Sequence, residues 1–354
     1  MYYGLYSVVS SQTCLEANNI LLMLMWLGEL TLASWLLSYG AEHLAARFGA
    51  RFVGRTLLSV ATTLPEIAIV AYAASAGSYG VALGAGLGSN VLMMTLGLAI
   101  MLLIATTRLS KKPIKKIDVS SFKLDKIFLL LTAVISAALF IDGYHFTDGI
   151  VFTGLFFVYV FIAFYEMRVE KKKDKEKAIV EHGNSFENIN PPNNQKQLIK
   201  SGIIFMVGTI GIFLGAEPFI HSLEHVSADI GVSAIILSVV ISPIAGEMPE
   251  KISLMLLARK GSHGTSIAIA NVLGSKILNN TLLLAFAVFG AMYHSGISAS
   301  IDRNEILTQQ MLLATVVTLV AVGLLFRKEI GIRTGLILLL MYIASIGLQF
   351  FLNS

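Results

Sequence analysis

Two segments of this chain place a glutamate beside a proline inside an apolar stretch, and a Gly-Ser step follows each. The first reads Ala61-Thr62-Thr63-Leu64-Pro65-Glu66, then Gly88-Ser89-Asn90. The second reads Ala245-Gly246-Glu247-Met248-Pro249-Glu250, then Gly274-Ser275-Lys276. A carboxylate in hydrocarbon costs at least about 2–3 kcal/mol even on lenient insertion scales, so by default it marks an ion or substrate path. Two of them, in matched contexts in opposite halves, point to one site built twice. Hard cations take oxygen ligands, about six to eight for calcium. Thr62, Thr63 and Glu66 offer two hydroxyls and a carboxylate; Glu247 and Glu250, at i, i+3, share a helix face. Proline at 65 and 249 removes a backbone donor and disfavours helix at the residue before it. Upstream carbonyls are therefore expected to turn toward a cavity. The Gly-Ser steps let another helix approach closely and add the Ser89 and Ser275 hydroxyls. Asn90, Asn279 and Asn280 add amide oxygens.

The elements that position these residues are membrane spans. The 354 residues are 55% hydrophobic and only 14% charged, with mean hydropathy +0.76; soluble domains carry roughly 25% charge. The single cysteine, Cys14, excludes an internal disulfide framework, and residues 1–18 show no basic leader pattern. Apolar stretches of roughly twenty residues cross a bilayer as helices. Ten are expected, near 20–40, 53–76, 80–105, 127–142, 149–165, 199–220, 231–257, 264–292, 308–326 and 331–351. The long third and eighth either tilt or break partway. The expected class is thus an all-α integral membrane protein with ten transmembrane helices. A first five-helix unit covers 1–165, a charged, solvated linker 166–198, and a second five-helix unit 199–354.

With the N-terminus outside and ten helices alternating, all but Lys251, Lys276 and Arg303 of the 26 Lys and Arg fall on the cytoplasmic side. That is the bias the positive-inside rule describes. The sequence pI of about 9.0 therefore reflects topology, and no nucleic-acid partner is expected. Both termini are placed outside and the 166–198 loop in the cytoplasm. Five spans per half force the second unit to enter the membrane from the opposite side. Such inverted repeats carry their sites near the midplane, at discontinuous helices. Gly40-Ala41-Glu42 and Gly215-Ala216-Glu217 precede the two Pro-Glu segments and extend the internal similarity. Glu29 has no repeat partner.

The segments Thr62-Thr63-Leu64-Pro65-Glu66 with Gly88-Ser89-Asn90, and Met248-Pro249-Glu250 with Gly274-Ser275, resemble the two alpha repeats of the calcium/cation antiporter superfamily. The sodium/calcium exchanger branch is nearest in pattern. The resemblance spans the whole chain. It implies alternating access with Ca2+ extruded in exchange for Na+ or H+, and sliding of the first and sixth spans against the remainder. It also implies that Glu66 and Glu250 are the central carboxylates, and that Thr62, Thr63, Ser89 and Ser275 are hydroxyl ligands. The second repeat departs from the pattern. Gly246 and Glu247 stand where a Thr-Ser pair is usual, and Met93 stands where a ligand is often found three residues past Gly-Ser-Asn, whereas Asn279 keeps it. Lys251 follows the second glutamate, and Lys276 takes the position of Asn90.

Ionised, Glu66, Glu247 and Glu250 carry three negative charges, which two inward lysines would reduce to one. Lys251, at i+4 from Glu247, either points away to a structural partner or helps fill the site. Alternatively, one ammonium occupies a place that sodium fills in relatives, or the chain moves another cation. The expected function is a secondary active cation antiporter, in the plasma membrane, that exports Ca2+ in exchange for Na+ or H+ at a midplane carboxylate site. The alternative is a cation channel, or an antiporter for a different cation with a lysine replacing one coupling ion. The metal-binding set comprises Glu66, Glu250, Thr62, Thr63, Ser89, Asn90, Glu247, Ser275 and Asn279, with Lys251 and Lys276 as modulators. No cofactor is expected; the partners are the transported cations and the lipid bilayer, and a monomer suffices for transport. An enzyme is disfavoured, because histidines 43, 145, 182, 221, 225, 263 and 294 sit near span ends or in loops. His221 and His225 alone make a weak metal signal.

Overall fold

The computed structural model describes residues 2–45, 59–181 and 195–351. Arg47, Arg51, Arg55, the first residues of the predicted second span, His182 and the middle of the charged linker lie outside the described residues. Helix α1 (Tyr2–Ala45) is followed by α2 (Ser59–Ser75) and α3, which runs over Tyr79–Thr106 through a π turn at Met93–Gly97. Strand β1 (Ile117–Asp118), α4 (Lys123–Leu139) and α5 (Phe146–Glu181) complete the first half. The second half holds α6 (Gln195–Ile230), α7 (Ala234–Gly246) and α8 (Met248–Ala258). Helix α9 then runs from Ser262 to Ser295 through a π turn at Asn279–Leu283. Helix α10 (Glu305–Leu325), strand β2 (Glu329–Ile330) and α11 (Ile332–Phe351) close the chain.

Among the described residues the secondary structure is helical apart from the β1–β2 pair, and α1, α3, α5, α6, α9, α10 and α11 contain the 7 segments long and apolar enough to cross a membrane. The remaining predicted spans fall short for identifiable reasons. The described parts of α2 and α4 have 17 residues each. The predicted seventh span divides at Glu247 into helices of 13 and 11 residues. The long third and eighth spans do not break; each absorbs one five-residue π turn instead. Helix α5 continues beyond its apolar span into the charged stretch as far as Glu181. Its lysines and glutamates are good helix formers, so charge there does not end the helix.

The packing of one half on the other has a simple regularity. Helix α3 packs on α7 as α9 packs on α2; α3 meets α10 and α11 as α9 meets α4 and α5; α1 lies along α6, and α4 meets α10. Exchanging the halves leaves this set of neighbours unchanged. The α3–α7 crossing is close because Gly80, Gly84 and Gly88 line one face of α3. A Cβ at Gly88 would overlap the Val239 backbone, and one at Gly84 would overlap the Ser238 hydroxyl and approach the Ile235 carbonyl at 2.8 Å. Small residues at four-residue spacing allow this approach in membrane helices. The α1–α6 contact uses the same device, with Gly208 against the backbone of Ala33 and Leu37, and Gly40 against that of Phe205.

The loops gather on two opposite faces. On one, the loop after α3 bonds the end of α8 (Lys111 N–H to the Arg259 carbonyl, 3.1 Å), and β1 pairs antiparallel with β2 in the α10–α11 loop. Three basic loops thus lie together. On the other, Tyr144 bridges Ile301 and Arg303 donates to the Ile141 carbonyl at 3.0 Å. There Ser78, between α2 and α3, bonds Glu224 of α6.

Candidate ion-binding site

Polar side chains converge where α2, α3, α7, α8 and α9 meet. Helix α2 brings Thr62, Thr63 and Glu66; α3 brings Ser89 and Asn90; the α7–α8 break brings Glu247, and α8 brings Glu250 and Lys251; α9 brings Ser275, Lys276 and Asn279. The break at Glu247 has a local cause. Pro243 and Pro249 each lack an amide donor and bracket it, so the backbone leaves the helix there (φ −99°, ψ 1°). Glu247 still donates its N–H to the Pro243 carbonyl, 3.1 Å away. Pro65, by contrast, is carried inside α2 without a break.

Each of the two paired glutamates accepts a hydrogen bond from the serine of the helix after it. Ser89 donates to Glu66 Oε1 at 2.9 Å, and Ser275 to Glu250 Oε2 at 3.3 Å. The halves also interlock. Thr62, one turn before Glu66, donates to Glu250 Oε1 at 2.9 Å. Gly246, one turn before Glu250, lies so close to Glu66 that a Cβ there would stand 2.7 Å from its Cγ. Glu66, Glu247 and Glu250 are all buried, at 5%, 0% and 1% exposure.

The remaining contacts are unequal. Lys276, with 0% exposure, donates to Glu247 Oε1 at 2.5 Å and to Ser89 Oγ at 2.7 Å, and lies 4.0 Å from Glu66 Oε1. Asn279 also donates to Ser89 Oγ, at 2.7 Å, and Ser89 contacts Glu247 as well. A hydroxyl has one hydrogen and two lone pairs, so Ser89 serves Glu66 and Glu247 in turn. Lys251 stays at the edge: it donates to the Pro243 carbonyl at 3.0 Å and lies 3.9 Å from Glu247 Oε2.

Not every residue picked from the sequence enters this cluster in the same way. Thr63 turns its hydroxyl back to the Ser59 carbonyl at 2.7 Å. Asn90 donates to Asn280 at 2.6 Å rather than to a carboxylate. Glu29 lies elsewhere, between α1 and α6, with a glycine cradle at Gly211 and Gly215. Two contributors escaped the sequence reading, the Ser59–Asn271 hydrogen bond (3.1 Å) and Pro243. Pro243 carried a usable signal, being a second proline six residues before the first. Among the described residues, no three His, Cys, Asp or Glu side chains form a ready-made metal cage. The carboxylates are instead held by hydroxyls and ammonium groups. Within this cluster, the buried oxygens without a hydrogen-bond partner include Glu66 Oε2, Glu247 Oε2, Asn90 Oδ1 and Asn279 Oδ1. Such groups are costly to leave unpaired and can accept from or coordinate a ligand.

The family model of the sodium/calcium exchanger protein matches residues 18–165 and 200–351. An uncharacterised membrane protein of Methanocaldococcus jannaschii is 23% identical over 310 residues, 87% of this chain and 90% of its own. The candidate antiporter CaxA of Alkalimonas amylolytica is 25% identical over 323 residues, 89% of this chain and 92% of its own. The crystal structure of the H+/Ca2+ exchanger CAX shares the fold with TM-score 0.76 at 19% identity, over 95% of this chain and 84% of that one. A structure of the sodium–calcium exchanger NCX_Mj does so with TM-score 0.61 at 22% identity, over 94% and 98%.

Proposed function

This chain belongs to the sodium/calcium exchanger protein family, and on that premise we propose that it exports Ca2+ in exchange for Na+ or H+ by alternating access. It is a transporter of the calcium/cation antiporter superfamily, built from two inverted five-helix repeats. The observation that carries the reading is the reciprocal geometry of Glu66 and Glu250. Equivalent carboxylates, each bonded by an equivalent serine, reach across the boundary between halves through Thr62 and Gly246. Support for the repeat comes from the packing set that survives exchange of the halves, and from the π turn shared by α3 and α9. The three basic loops on one face are assigned to the cytoplasm by the positive-inside rule, in the plasma membrane and with both termini outside.

Competing ions are exchanged because both need the same oxygens. The midplane location follows from the inverted-repeat plan. Movement is placed at α1 and α6, which approach each other closely where Gly208 meets the backbone of Ala33 and Leu37 and Gly40 meets that of Phe205. A monomer holds every element of this cycle.

The test is calcium flux in proteoliposomes, with an imposed sodium gradient compared with an imposed pH gradient. At least one of the two gradients drives calcium accumulation in the antiporter, and Glu250→Gln removes it. Calcium flux that persists after the trans-side ion is withdrawn identifies a channel and overturns the antiport reading.

A further inference from the structure

We propose that the Lys276 ammonium is a resident cation of this site, which fills the lobe made by Glu247, Ser89 and Asn279 and keeps sodium out of it. The proposal rests on the antiport reading and deepens it, because it decides which coupling ions the site can hold. Aligning the two Pro-Glu segments places Thr63 opposite Glu247; aligning the two Gly-Ser steps places Asn90 opposite Lys276. At these aligned positions the second half therefore adds one negative charge, Glu247, and two positive ones, Lys276 and, opposite Ile67, Lys251. The structure brings Glu247 and Lys276 together at 2.5 Å with both side chains fully buried. Two independent sequence differences that meet as one neutral pair amount to a cation installed with its counter-ion.

The geometry suits that role. The ammonium meets oxygens of Glu247 at 2.5 Å, Ser89 at 2.7 Å and Glu66 at 4.0 Å, an oxygen environment of the kind a small hard cation takes. The other oxygen of Glu247 faces Lys251 at 3.9 Å, so the carboxylate has ammonium groups on both sides. A sodium ion approaching Glu247 meets their repulsion in a buried setting where charges are weakly screened. It also competes with a cation on the same chain, whose effective concentration is set by its tether and not by the solution. Among the described residues, the hydrogen-bond partners of Glu250 are the hydroxyls of Thr62 and Ser275, and Glu66 Oε2 has no hydrogen-bond partner. Glu250, Glu66 Oε2 and the amide oxygens Asn90 Oδ1 and Asn279 Oδ1 are the acceptors left for the transported cation.

Calcium uptake is measured at constant pH into proteoliposomes loaded with sodium or with choline. In the unaltered protein the two rates are expected to differ by less than about twofold. The double substitution Glu247→Thr with Lys276→Asn copies the first half and removes both charges together. It is expected to make uptake at least about fivefold faster with sodium inside than with choline. A purely structural pair would not move this ratio. Strong sodium dependence in the unaltered protein, or a double variant that transports calcium with the same indifference to sodium, overturns the proposal. Radiolabelled sodium binding to the purified, unaltered protein decides the matter even where the variant fails to fold. No calcium-displaceable sodium is expected, and its presence would refute the assignment. If the unaltered protein moves no calcium under sodium or pH gradients, the antiport reading fails, while the sodium-binding result still decides the role of Lys276.

Discussion

In the first half, α2 runs unbroken through Pro65, Thr63 turns its hydroxyl to its own helix, and Asn90 pairs with another amide. In the second half the helix stops at Glu247, which lies against Lys276. Glu66 and Glu250 nevertheless end in near-equivalent settings, each beside its serine. The difference teaches how a duplicated frame can be specialised. The shared positions preserve the paired carboxylates, whereas the positions of Thr63, Ile67 and Asn90 are where the second half gained its extra charges. The helix break follows from donor loss: one proline removes one bond that a helix can do without, and two prolines six residues apart remove two.

The sharpest way to break this comparison is to neutralise the paired glutamates one at a time. Glu66→Gln and Glu250→Gln are each expected to lower calcium exchange by about 100-fold or more, because hard-cation affinity follows ligand charge. A variant of either that retains normal flux shows that the halves are not equivalent. Glu247→Gln acts differently, since it strands the Lys276 ammonium in a buried site. Removing one partner of a buried pair costs about 3–5 kcal/mol, to be seen as a lower thermal midpoint in detergent. Adding Lys276→Asn should recover most of that loss; no recovery would mean the two residues are uncoupled.

Gly246→Ala probes the interlock. The added methyl overlaps Glu66 Cγ, and a displaced ligand is expected to cost about 10-fold in flux, with folding retained. An unaffected rate would remove Gly246 from the argument. The smallest effect separates the adjacent threonines. Thr62→Val loses the bond to Glu250, worth about 1 kcal/mol or roughly fivefold in apparent calcium affinity. Thr63→Val removes only a hydroxyl bonded within its own helix and is expected to change affinity by less than about twofold. Equal effects from the two would contradict the side-chain directions described above.

Much of the site was legible because its signals are local. Proline beside glutamate, glycine before serine and the charge bias of loops can each be read within a few residues. The contacts of Asn90 with Asn280 and of Ser59 with Asn271 were not legible, since each joins residues from different helices. Helix α5 runs past its apolar span because the lysines and glutamates that follow are polar yet favour helix. The break at Glu247 was half legible: Pro249 was noticed, whereas Pro243, buried in an apolar run, was not.

By itself the sequence determined that most of the chain forms apolar helices and that two matched carboxylate motifs lie among them. Hydropathy and motif identity are sums over neighbouring residues and need no knowledge of what packs where. Only the tertiary structure decided between the two lysines, drawing Lys276 fully into the carboxylate cluster and leaving Lys251 against the Pro243 carbonyl at its edge. That choice depends on how α8 and α9 are rotated and how closely α3 crosses them. Such angles are set by contacts between residues far apart in the chain, which no local pattern records.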